Sequence, residues 1–190
     1  MRLSWEGSVA DALRGQFEGV TIEVAGVATA WLPLERVAVR AQRARFTPGL
    51  PASIRVEQPT LSLSIAQRDL DGWLDGFQLP FELVLAEKGI VVHTQIAGLA
   101  LSEVETRLEV VRGWFLLRPR RASFLGIPSS MARYLRAYLP IPPLSPEARL
   151  VGIAHAPRRL TLHFGIDDFE EPMSPGLAGR LRRRLLPWTG

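Results

Sequence analysis

Cysteine is missing from this 190-residue chain, which excludes disulfides, thiolate catalysis and cysteine-ligated metal sites. Lysine is nearly missing: Lys88 is the only one among 23 basic residues, so the positive charge is almost entirely arginine. Either the base composition of a GC-rich genome or arginine's bidentate grip on phosphate and carboxylate accounts for that bias. Histidine occurs three times, as His93, His155 and His163, without metal-ligand spacing. His93 and His163 alternate with apolar neighbours, which places them on the polar face of strands. No apolar run approaches the roughly 18 residues of a membrane span. The segment Met1–Glu6 lacks the apolar core of a signal peptide, so the chain reads as soluble or peripheral, with the question of a leader ahead of Met1 left open. No nucleophile elbow, phosphate-binding loop or dinucleotide fingerprint occurs, and the glycines fall at turns such as Lys88-Gly89 and Arg112-Gly113. The one dense carboxylate group, Asp167, Asp168, Glu170 and Glu171, has no spaced oxygen-ligand loop and reads as a solvated linker countering the arginines that follow. No catalytic residue, metal or cofactor is expected.

What is present is a moderately apolar chain, 47% hydrophobic and 22% charged with net charge +4, a composition that fits one domain or one domain with a tail. Its dominant pattern is alternation. Phe81, Leu83 and Leu85 lead through a turn at Glu87-Lys88-Gly89 into Ile90, Val92, Thr94 and Ile96, and an antiparallel hairpin closed there puts all of them on one face. The pattern recurs in Val104, Thr106, Leu108 and Val110, turning at Arg112-Gly113 into Phe115 and Leu117. It recurs again in Val151 and Ile153, turning at Pro157-Arg158 into Leu160, Leu162, Phe164 and Ile166. Earlier strands are expected from Val20, over Leu34–Arg45, and around Ile54 and Val56, broken at Pro59 and resumed by Leu61, Leu63 and Ile65. Helical spacing is read over 7–17, over Ala66–Phe77 with the stripe Leu70, Trp73, Leu74 and Phe77, over Ser129–Leu139, and from Ser174-Pro175 onward. The order is strands, helix, four strands, helix, two strands, helix, which is an α+β class with a strongly curved, mostly antiparallel sheet. Trp114-Phe115-Leu116-Leu117 puts two large apolar residues on each face of one strand, so both faces need cover there. A nucleic-acid platform is not expected, because the arginines alternate with the aromatics and face the other way.

Several of these stretches are similar to the LmeA-like phospholipid-binding family of actinobacterial envelopes. They are Leu61–Ile65 leading into Leu70-Asp71-Gly72-Trp73-Leu74 and Leu79-Pro80-Phe81, Gly89–Val92 followed by Ala97–Leu101, and Tyr138–Leu144 leading to Ala148–Ile153. The resemblance spans about residues 20–166. It implies a TULIP-like fold, in which a bent sheet wraps helices around an elongated apolar cavity, and a role in binding or transferring envelope lipids.

On that reading residues 1–172 form one lipid-binding domain and 173–190 a basic amphipathic helix. The expected cavity lining is Leu63, Leu70, Trp73, Leu74, Phe77, Phe81, Leu83, Leu85, Val92, Ile96, Leu108, Val110, Phe115, Leu117, Leu135, Ile153, Leu162 and Phe164. Arg118, Arg120, Arg133 and Arg136 are candidates for the lipid phosphate. Arg180, Arg182, Arg183, Arg184 and Trp188 are candidates for contact with a peripheral membrane surface. The expected ligand is a phospholipid or fatty acyl chain, and the expected place is the envelope or a membrane surface. The rival is a structural or adaptor module that fills its own core and binds a protein partner through its arginine-rich helices.

Overall fold

A computed structural model describes residues 1–29, 32–76, 81–96, 99–111, 114–129, 137–140, 148–177 and 179–181. The elements are β1 (Arg2–Glu6), α1 (Val9–Leu13), β2 (Gln16–Val27), β3 (Leu34–Thr47), β4 (Ser53–Glu57), β5 (Thr60–Ala66) and α2 (Gln67–Asp75). They continue with β6 (Phe81–Ala86), β7 (Gly89–Ile96), β8 (Leu99–Val111), β9 (Trp114–Phe124), β10 (Ile127–Pro128) and β11 (Ala137–Pro140). The last are β12 (Ala148–Ala156), β13 (Arg159–Ile166) and β14 (Phe169–Pro172). The fold is sheet-dominated α+β and mostly antiparallel, and its sheets are not closed. Contacts divide the chain into two compact units, Met1–Ser64 with Pro143–Gly152 and Leu162–Gly190, and Ile65–Pro142 with Ile153–Thr161. The sequence pattern suggested one domain over 1–172. The split passes within strands, where composition does not change.

An eight-stranded sheet runs in the order β1-β2-β3-β5-β13-β12, with β4 beside β3 and β14 beside β4. β4 and β5 pair with β3 in one continuous register, from Ser53 opposite Thr47 to Ser64 opposite Arg36. Pro59, which has no N–H to give a ladder, separates them. The neighbouring chain breaks at the same level, between β13 and β14, and the two breaks are tied together. The carboxylate of Asp168 accepts the Gln58 backbone N–H at 2.7 Å, and the Pro59 carbonyl accepts the Ile166 N–H at 2.9 Å.

The apolar positions of β3 change face across this crease. Val37, Val39 and Ala41 share one face with Leu63 and Leu61 of β5 and with Val24, Ile22 and Val20 of β2. Beyond it the other face becomes apolar, with Ala44 opposite Phe17 and Val56, Phe46 opposite Ile54, and Phe169 opposite Val56. Trp5 meets Phe17 edge-on, with ring centroids 6.1 Å apart.

The second unit holds a sheet in the order β10-β9-β8-β7-β6, with β11 also on β9. The hairpin reading is correct in register: Leu85 faces Ile90, Leu83 faces Val92 and Phe81 faces Thr94. Val92 faces Val104, Ile90 faces Thr106, Leu108 faces Leu117 and Val110 faces Phe115, so one face is apolar across four strands. His93 lies opposite Glu82 and Glu103 on the polar face. A bulge at Arg120 shifts the β8–β9 register between Glu105 and Thr106, beside Pro119.

β6 ends the sheet, so its outer backbone groups need partners from elsewhere. The buried Gln67 side chain at the start of α2 supplies them. Its Nε2 donates to the Leu83 carbonyl at 2.7 Å and to Asp71 Oδ1 at 2.6 Å, and its Oε1 accepts the Leu85 N–H at 2.6 Å. The Arg158 backbone adds a bond to the Leu85 carbonyl at 2.8 Å and receives one from the Gln67 N–H at 2.9 Å.

Several sequence expectations need correction. The helix read over 7–17 is only Val9–Leu13. Gly15 at φ +74 stops it, and Phe17 belongs to β2. The helix read over Ser129–Leu139 ends in strand instead: Tyr138 pairs with Leu116 and Leu139 with Phe115, and Pro140 biases its predecessor away from helix. Its earlier part, 130–136, lies outside the described residues. The C-terminal helix starts at Leu177 rather than at Pro175. Gly176 has φ +91 and its carbonyl accepts an i to i−4 bond from Arg180. The carboxylate group is not a solvated linker, because Phe169–Pro172 is strand β14.

Candidate functional site

Each carboxylate of that group has a structural partner. Asp167 pairs with Arg149 at 2.6 Å, Asp168 holds Gln58, Glu170 accepts from the Ser53 hydroxyl at 2.6 Å, and Glu171 pairs with Arg180 at 3.1 Å. They tie strands together and converge on no common point. His163 likewise bonds the Ser62 hydroxyl at 2.9 Å. Among the described residues no group of three or more histidine, aspartate or glutamate side chains is placed to hold a metal ion.

The expected lining residues differ widely in burial. Leu63, Leu162 and Phe164 expose 0% of their surface, so neither solvent nor an open void touches them and protein fills the space around them. Leu70, Leu83, Leu85, Leu108, Phe115 and Leu117 are buried, while Trp73, Leu74, Phe81, Val92 and Ile153 are half-buried. Val110 is 39% exposed, the one expected lining residue among the exposed large apolar side chains. Ile96 lies in β7 opposite Leu99. Phe77 and Leu135 lie outside the described residues, as do Arg133, Arg136, Arg182, Arg183, Arg184 and Trp188. On the other face of β9, Leu116 is buried between Glu109 and Tyr138 in register, whereas Trp114 stays 49% exposed.

Arg180 does not have the free guanidinium expected of a membrane contact. It donates to Glu171 at 3.1 Å and to the Pro172 carbonyl at 2.6 Å, anchoring the start of the C-terminal helix. Arg118 pairs with Glu109 at 3.6 Å. No described helix is long and apolar enough to cross a membrane.

Arg120 remains, and the bulge brings it to a distinctive place. An open cleft of about 560 Å³ is lined by the aliphatic residues Leu108, Val110 and Ile153 and by the polar residues Lys88, Arg107, Arg120, His155, Glu87 and Glu109. A second cleft of about 590 Å³ shares Glu87, Lys88 and Arg120 and adds Arg121, Glu105 and Thr106. Among the described residues no carboxylate forms an ion pair with Lys88, Arg107 or Arg120. Of the carboxylates in the two clefts, Glu109 is engaged with Arg118, while Glu87 and Glu105 also line them. Burial, and then the nearby positive charge of Arg107, hold the His155 pKa below the usual histidine range. The His155 Nδ1 is buried without a hydrogen-bond partner. Local sequence marked Arg120 and the three aliphatics but not Lys88, Arg107 or His155. The only signal for Lys88 was its singular identity at a hairpin turn, and the meeting with Arg107 and His155 needs contacts between segments far apart in the chain.

A further cleft of about 570 Å³ is lined by Leu74, Phe81 and Leu83 together with Asp71, Asp75, Glu82, Gln67 and Arg158. Its polar lining is dominated by carboxylates, which suits an anionic ligand poorly.

No family model, curated protein or solved structure matches this chain.

Proposed function

We propose that this chain is a non-enzymatic lipid-binding or lipid-transfer protein that holds a phospholipid or fatty acyl chain and visits a membrane surface, as an LmeA-like, TULIP-related fold of the cell envelope would. The observation that carries the reading is the cleft in which Leu108, Val110 and Ile153 adjoin unpaired cations. An acyl chain is recognised through the water it releases, worth roughly 0.8 kcal/mol per buried methylene, and needs smooth aliphatic wall. A lipid phosphate needs fixed positive charge at the edge of that wall. The elongated apolar cavity of a TULIP-like fold belongs to the same proposal. Leu63, Leu162 and Phe164 are enclosed by protein, so in this reading the acyl chain meets Val110 and Ile153 instead. The residues Arg182–Arg184 and Trp188 supply the interfacial contact in this reading.

Native mass spectrometry of gently purified protein tests it, paired with uptake of a fluorescent phospholipid. Bound lipid and saturable uptake are expected, with uptake at least tenfold weaker in Val110→Asp, whose side chain is exposed enough for the substitution to fold. Failure to detect both co-purified lipid and uptake would overturn the proposal.

A further inference from the structure

The polar residues of the same cleft carry a more specific consequence, which deepens the lipid reading by naming the head group. We infer that Lys88, Arg107 and Arg120 form a site for a phosphate monoester or other tetrahedral dianion, with the His155 ring donating to it. Lys88 stands on the β6–β7 turn, Arg107 on β8, Arg120 at the β9 bulge and His155 on β12, so four separate segments converge on one cleft. The three cations outnumber the two carboxylates there, and Glu109 is already paired outside the cation set. The bulge adds one residue to β9 beside Thr106, and that residue is Arg120, which lines both adjoining clefts. Bulges re-aim a side chain in this way.

His155 lines the cleft while its Nδ1 is shut away from solvent, so contact with the anion falls to the part of the residue that borders the cleft. The groups facing His155 across the cleft are Lys88, Arg107 and Arg120, with Glu87 and Glu109. Without a ligand, burial and Arg107 keep the ring neutral. An entering dianion reverses the local sign, so the ring takes a proton as the anion binds. By linkage, the bound anion raises the His155 pKa, while the second proton of the phosphate, taken up over a similar pH range, opposes a gain in affinity on acidification.

The test is a nuclear magnetic resonance titration of the histidine ring protons in the full chain, assigned with His155→Gln. It is run with inorganic phosphate, with short-chain dihexanoyl phosphatidic acid, and with sodium chloride at matched ionic strength to remove the effect of screening. Both phosphate ligands are expected to raise the His155 pKa above its value in chloride. Arg120→Gln should weaken phosphate binding about tenfold, and Lys88→Gln, at an exposed turn, about threefold. A shift with inorganic phosphate but not with the lipid leaves the anion site standing and removes the lipid reading. Phospholipid uptake with His155 unmoved leaves the lipid reading standing and removes the anion site. An identical His155 pKa in phosphate and chloride, or unchanged phosphate affinity in both variants, overturns the inference.

Discussion

Two residues without charge or catalytic chemistry set the local geometry of the second unit. A Cβ added at Gly89 would run into the Thr106 carbonyl oxygen, a backbone atom that cannot swing aside. Thr106 is itself buried and fixed, its hydroxyl donating to the Ile90 carbonyl at 2.7 Å. Gly89→Ala is therefore expected to destabilise the fold by about 1–3 kcal/mol, seen as a melting temperature lower by roughly 2–4 °C for each kcal/mol. An unchanged melting curve would contradict the close approach. Gln67 is the second. Gln67→Leu keeps the bulk but strands the Leu83 carbonyl and the Leu85 N–H, at about 1–3 kcal/mol for each buried group. Chemical denaturation of the variant measures the sum, and a loss below 1 kcal/mol would show that water replaces the side chain. The glycine was legible as a turn residue, since it follows Glu87-Lys88 between two alternating runs. The role of Gln67 was not, because a glutamine at the start of a helix looks like any solvated polar residue until the sheet edge beside it is known.

At the scale of elements, alternation was read well wherever one face is apolar throughout. The β6–β7 and β8–β9 hairpins are the plain cases, because each turn fixes the register that the pattern needs. Reading failed where an element depends on a distant partner. β1 and β14 are short and mixed in character, and they exist as strands because β2 and β4 offer them an edge. β11 was misread because Met131, Leu135 and Tyr138 happen to share helical spacing, although Pro140 argued otherwise. The crease shows the same dependence. Asp168 looked like one member of an acidic cluster, yet it caps the N–H of Gln58, whose φ of +48 sits in the left-handed region. Asp168→Ala is expected to cost about 1 kcal/mol, and Asp168→Asn, which retains an acceptor, less than half of that. Equal losses in the two variants would mean that the charge rather than the acceptor matters.

At the scale of the whole molecule, the two compact units give these variants different footprints. Hydrogen exchange in Asp168→Ala should rise first around Gln58, Ile166 and β14, whereas Gln67→Leu should loosen β6 and the start of α2. Uniform loss of protection in both variants would show that the chain opens only as one body. The candidate site was half legible at this scale. Its aliphatic residues follow from period-two patterning, but its cations come from the β6–β7 turn, from β8 and from a one-residue bulge, and a bulge leaves no signature in local composition.

The reversal of apolar phase along β3 carries one more consequence. In a strand of uniform alternation, sliding a partner by two residues restores every inward-facing position, so such slips are cheap errors. Here the changeover between Ala41 and Ala44 must coincide with the interruptions at Gln58-Pro59 and Asp167-Asp168. A two-residue displacement would set Arg43 where Ala41 belongs or Gln42 where Ala44 belongs, at the changeover itself. The strand thus works as a keyed edge that accepts its neighbours at a single offset, and an exchanged partner from another copy would have to meet the same key.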